Sequence, residues 1–152
     1  MKKFKFKIEP VLKHRKHIEE IKKKEMAVVF QQLHDATEML KNQKQEFKKT
    51  QGSMEREESL KNFKIEDIML YESYMIFLTR LMEQQVVFIE HINKRLDVKR
   101  EEYIKASKNK KVIERVKEKQ YINFMKKMDV LEQKFLDEIG IIQHVRSHRG
   151  DK

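Results

Sequence analysis

Residues 65–106, IEDIMLYESYMIFLTRLMEQQVVFIEHINKRLDVKREEYIKA, decide the fold. Within them Ile68, Tyr71, Met75, Leu78, Met82, Gln85, Ile89, Ile92, Leu96, Lys99, Tyr103 and Ala106 follow one another at alternating intervals of three and four. That alternation is the seam of a coiled coil, because it keeps one narrow stripe turned toward a partner helix. Neither proline nor glycine breaks it, and the whole chain of 152 residues holds only 3 glycines and 1 proline. A β-sandwich, a barrel or a doubly wound sheet would need far more turn-forming residues at its connections.

Toward the N-terminus a second seam supplies the partner. Leu12, Glu19, Met26, Leu33, Leu40, Phe47 and Met54 recur every seven residues, and all but Glu19 are apolar. The companion row Ile8, Arg15, Lys22, Val29, Ala36, Gln43 and Thr50 is only partly apolar, so the seam weakens toward the N-terminus. Pro10 suits a first helical turn, where its missing N–H had no partner. Before it, Phe4, Phe6 and Ile8 alternate with Lys3, Lys5 and Lys7 as a short extended lead-in. Gln51-Gly52-Ser53 and the polar run Glu55–Ser59 mark a break. After Ser107-Lys108-Asn109-Lys110 the seam thins to Ile113, Phe124 and Leu131 among lysines. The pattern predicts an all-α fold, an antiparallel two-helix coiled-coil hairpin with a C-terminal helical overhang. It reads as one coiled-coil domain over 1–152, with a helix at about 10–51, a turn at about 52–62, a helix at about 62–140 and a flexible tail at 141–152.

Composition narrows the function. The absence of cysteine removes disulfides, thiolate metal sites and cysteine nucleophiles, and fits a reducing cytosol. The apolar run Met26–Phe30 is far shorter than the roughly 18 residues of a membrane span, and MKKFKFKIEP lacks the apolar region of a signal peptide. A soluble, cytoplasmic protein is expected. No Gly-rich phosphate loop is present, and the acids Glu55, Glu57, Glu58, Glu66 and Asp67 have no fixed cleft around them. His14/His17 and His144/His148 offer two imidazoles each, where zinc normally takes three or four ligands. The expectation is no enzyme, no metal and no cofactor.

Charge is distributed unevenly. Residues 1–24 hold 10 Lys/Arg against 3 acids, and residues 94–127 hold 13 against 5, whereas residues 25–93 hold 8 against 12. A hairpin would set the two basic blocks side by side. Nucleic acid is not favoured as their target, because the aromatics keep heptad spacing instead of interleaving with Lys/Arg as stacking platforms. An acidic protein surface fits better. Besides the seam, Leu70, Tyr74, Phe77, Leu81 and Phe88 form a second apolar row. A helix apolar on two faces must bury the second somewhere. Either a tail or a second copy covers this row, or another protein docks on it.

Three passages together carry a family resemblance. The lead-in Phe4-Lys5-Phe6-Lys7-Ile8-Glu9-Pro10-Val11-Leu12 runs into the basic turn Lys13–Lys16. An aromatic-aliphatic middle, Tyr71-Glu72-Ser73-Tyr74-Met75-Ile76-Phe77-Leu78, follows the turn, and the last helix closes on Leu136-Asp137-Glu138-Ile139. Over most of its length the chain resembles the flagellar export protein FliJ family. The resemblance implies a non-enzymatic coiled-coil stalk of the flagellar type III export apparatus, similar to the central stalk of rotary ATPases. The partners it implies are the hexameric export ATPase FliI, the export gate protein FlhA and export chaperones. Contact with the inner membrane would be peripheral, through those partners alone. By this likeness Lys13, Arg15, Lys16, Lys22, Lys23, Lys24, Lys94, Arg95, Lys99 and Arg100 would meet the ATPase ring. Leu40, Phe47, Tyr74, Leu78, Leu81 and Gln85 would meet the gate. The alternatives are a generic structural or dimerising coiled coil, or the stalk of a virulence-type secretion system.

Overall fold

The computed structural model describes residues 3–60 and 64–149, with side chains through residue 142. Two long helices pack against each other and no strand occurs among the described residues, the all-α helical hairpin expected from the two seams. Helix α1 spans Glu9–Glu58 and α2 spans Ile65–Arg149. Glu9 and Pro10 open α1, with the Glu9 carboxylate in the positive first turn. The Glu9 N–H donates to the Phe6 carbonyl and the Leu12 N–H to that of Ile8. At the other end the Ser59 N–H donates to Glu55 O and the Ser59 hydroxyl to Arg56 O, closing carbonyls the helix leaves open. Glu66 and Asp67 occupy the first turn of α2, matching its dipole.

The helices run past the expected ends. Gly52 does not break α1, which continues seven-residue register through Met54 to Glu58. One glycine inside a helix costs only about 1 kcal/mol, and the seam on both sides of it is engaged: Thr50 is buried, and Phe47 and Met54 are half-buried. Arg56 also donates from Nε to the Gly52 carbonyl at 3.0 Å. Residues 52–58 of the expected turn are therefore helical, and 61–63 lie outside the described residues. Gly140 is passed in the same way, so 141–149 of the expected tail are helical, and 150–152 lie outside the described residues.

The chain forms two compact units. The first comprises Glu19–Lys105. Its core is Val29, Ala36, Ile92 and Leu96, with Met26, Leu33 and Ile89 packed around them. Ile92 is fully buried, and every seam residue from Ile68 to Tyr103 is buried or half-buried. The antiparallel register is fixed by polar contacts, Gln85 Nε2 to Ala36 O at 2.9 Å and Lys99 Nζ to Glu25 Oε2 at 2.9 Å.

The second unit comprises Met1–Ile18 with Ala106–Lys152. Phe6, Leu12 and Ala106 are buried in it. The lead-in lies on α2 with its phenyl rings inward. Phe4 meets Tyr121 edge-on with centroids 5.3 Å apart and Phe124 at 5.6 Å, while Lys3, Lys5 and Lys7 are exposed. Lys117 Nζ reaches Glu9 Oε2 at 2.6 Å and sits 5.7 Å from the Phe6 ring centroid, a cation over an aromatic face.

Candidate functional site

The apolar surface in the unit Glu19–Lys105 grows from the phase of α2. The seam turns Met75, Leu78 and Met82 toward α1, so the row displaced from it by part of a turn points elsewhere. Leu70, Tyr74, Phe77 and Phe88 are exposed, Leu70 by 70% and Phe77 by 54%, and Leu81 is half-buried. Tyr74 and Phe77 stack with centroids 6.3 Å apart. Met69, Ile76 and Val87 of the same helix are also each more than half exposed, Ile76 on the flank that meets Phe47. Several large side chains left open together mark an interaction site in a way that scattered single residues do not. Within the unit Glu19–Lys105 the row is open to solvent.

Of the six residues expected to meet the gate, Tyr74, Phe47 and Leu40 line three different clefts, Leu81 and Gln85 are half-buried, and Leu78 is buried. Tyr74 shares a cleft of about 480 Å³ with Leu70, Tyr71, Glu57 and Asp67. Phe47 lines a separate open groove of about 700 Å³ with Met54, Met75, Ile76 and Thr79, rimmed by Glu72, Arg80 and Glu83. Leu40 lies in a third cleft among Thr37, Lys41, Lys44, Gln45 and Lys48 of its own helix. Leu78 is buried at 4% exposure, in the seam where its heptad phase puts it, and is closed to a partner. Gln85 is held by the Ala36 carbonyl. Ile76, Thr79 and Arg80, which complete the Phe47 groove, are the residues sequence reasoning missed. The usable signal was Met75-Ile76: two adjacent apolar residues cannot both face one narrow seam.

The cationic residues divide similarly. Lys13, Arg15 and Lys16 belong to the unit Met1–Ile18 with Ala106–Lys152, which holds 19 Lys/Arg against 8 Asp/Glu, a net +11. Lys22, Lys23, Lys24, Lys94, Arg95, Lys99 and Arg100 belong to Glu19–Lys105, which holds 16 against 17, a net −1. Lys22 and Lys99 are not open charges. Lys22 Nζ lies 2.9 Å from Glu102 and 3.1 Å from Glu25, and Lys99 Nζ lies 2.9 Å from Glu25 and 3.1 Å from Glu102. Donation to Glu102 and Glu25 raises the Lys22 pKa, and the bonds accepted from Lys99 and Lys22 at Glu25, and from Lys22 and Lys99 at Glu102, hold both carboxyls below their usual 4.5. The Lys99 pKa is raised likewise, chiefly by Glu25. Arg100 pairs with Asp97 at 3.6 Å and Lys16 with Glu114 at 3.8 Å, both at exposed positions. Lys23, Lys24, Lys94 and Arg95 are exposed and make no ion pair among the described residues.

The described residues contain no group of three or more histidines and carboxylates placed to hold a metal, and no helix long and apolar enough to cross a membrane. What the surface offers is an open apolar row on one unit and a dense positive field on the other. No curated protein and no solved structure matches the chain. The family model described as flagellar FliJ protein matches residues 4–149. That match takes in the aromatic lead-in, both seams and the open row, and with it the chain belongs to the flagellar FliJ family.

Proposed function

We propose that this protein couples the export ATPase FliI to the export gate protein FlhA at the cytoplasmic face of the inner membrane. Family membership makes it a flagellar export-associated stalk protein, and a non-enzymatic role is part of the proposal. The observation that carries the finer reading is the open row Leu70, Tyr74, Phe77 and Phe88, set beside a seam whose residues are buried or half-buried from Ile68 to Tyr103. A helix whose core is already satisfied keeps such a row for another molecule, and the gate is the partner assigned to it. The net +11 of the unit holding Lys13, Arg15 and Lys16 supports contact with an acidic surface of the ATPase ring, reached by electrostatic steering. Handling of export chaperones is part of the same reading.

The test is titration of purified FliI and of the cytoplasmic part of FlhA with the full chain at two salt concentrations. Stimulation of FliI should fall steeply with salt, while FlhA binding should change little. Stimulation insensitive to salt and to charge reversal at Lys13 and Lys16 would remove the electrostatic half of the proposal.

A further inference from the structure

In the unit Met1–Ile18 with Ala106–Lys152, α2 runs on past the aromatic contacts of Phe4 with an uncovered stripe. Val130, Leu131, Phe135, Leu136, Ile141 and Ile142 are each more than half exposed. Heptad spacing restarts here: Tyr121, Phe124, Met128, Leu131, Phe135, Glu138 and Ile142 follow at intervals of three and four, and all but Glu138 are apolar. Phe4 occupies the first two of these positions from one side. From Leu131 onward every residue of this series is exposed, Met128 being half-buried, and the shallow cleft of about 440 Å³ on it is lined by Lys126, Lys127, Val130 and Leu131.

We infer that residues 128–142 of α2 pair with the same segment of a second copy in a parallel, in-register coiled coil. The flanking charges choose this occupant and this direction. In a parallel pair the residue just before a heptad's first core position faces the residue five further along the partner helix. Here that sets Lys127 against Glu132 of the second copy, twice by symmetry. An antiparallel pair of the same segment would instead leave Lys127 opposite Ile141 and set Lys134 against Lys134 of the other copy, a like-charge contact. Leu131 and Phe135 then meet their own counterparts in the core. Glu138 also meets its counterpart, and two carboxylates in a core position weaken the pair. Two heptads bury less than the roughly 1,200 Å² of a standard interface. The pair is therefore weak in the natural chain, and Glu138 is its brake.

Sedimentation equilibrium of the full chain, from low micromolar to several hundred micromolar, tests this. Glu138→Leu should tighten dimerisation by about tenfold or more by removing the facing charges. Adding Lys127→Glu should reverse most of that gain, and adding Glu132→Lys to both should restore it. Ile142→Cys reads the direction in a chain with no other cysteine: a parallel pair forms the symmetric disulfide on mild oxidation, and an antiparallel pair holds the two thiols far apart. Circular dichroism confirms that each variant stays helical. Monomers at every concentration for both the natural chain and Glu138→Leu would overturn the inference and leave the stripe to a different protein. A dimer indifferent to the Lys127/Glu132 exchange, or one that fails to cross-link through position 142, would overturn it equally.

Discussion

Lys22 and Glu102 stand 80 residues apart in sequence and 2.9 Å apart in space. With Glu25 and Lys99 they close a square of four alternating charges across the two helices. The square occupies the stretch where the seam gives up its apolar residues. It replaces hydrophobic packing with a contact that only one register satisfies, the use for which polar seam residues are best attested.

The square makes stability pH-dependent with a definite sign. Glu25 and Glu102 have pKa values lowered below 4.5 by the lysine hydrogen bonds. Their contribution is fully present above the unfolded value and is lost as pH falls through the lower folded one. Lys22 and Lys99 are raised above 10.5, so their contribution holds below that value and is lost at higher pH. Thermal melts followed by circular dichroism should show a plateau at neutral pH and a falling midpoint below about pH 4.5. Glu25→Gln with Glu102→Gln should flatten the acid limb. An unchanged acid limb in that variant would show that other carboxylates carry it.

Charge reversal at neighbouring lysines should separate fold from function. Lys22→Glu places a third acid in the square and should lower the melting midpoint. Lys23→Glu with Lys24→Glu changes exposed residues outside it and should leave the midpoint within the spread of ordinary surface substitutions. Equal midpoints for the two variants would mean that the square contributes nothing.

The core and the open row should respond oppositely to truncation. Ile92 is fully buried and Leu78 nearly so, so Ile92→Ala and Leu78→Ala should each cost about 2–5 kcal/mol in chemical denaturation. Phe77→Ala removes a larger side chain from the surface and should cost under about 0.5 kcal/mol. A large loss at Phe77 would make the row part of the core.

Gly52 offers a stabilising change. It is helical, and a Cβ built there meets nothing within 4 Å. Gly52→Ala should therefore raise stability by about 0.5–1 kcal/mol. A loss would show that the helix interruption expected from Gln51-Gly52-Ser53 is present in solution.

The fold was legible because heptad spacing is a geometric requirement that survives polar substitutions. Lys99 and Gln85 were placed in the seam by phase alone, and both are half-buried there. The helix ends were not legible. Gly52 and Gly140 signal a stop only where packing is absent, and a single glycine is too small a penalty to end a helix whose flanking turns are engaged. The open row could be found as a set of residues out of phase with the seam. At Leu78 two readings competed, heptad phase placing it in the seam and the family likeness on the gate face, and the structure buries it as the phase requires. The lysines were countable, but their pairing depends on which carboxylates α2 brings opposite them. Lys22 and Lys99 therefore read as open charges when they are neutralised.

In the function proposed above, the row on α2 docks on the export gate. The direct measurement is the affinity of the cytoplasmic part of FlhA for the natural chain and for Tyr74→Ala with Phe77→Ala, taken together with the melting midpoint of each. The expected result is a loss of about tenfold or more in affinity, the scale of a lost aromatic anchor, with the midpoint unchanged. Natural affinity in the double variant would contradict it.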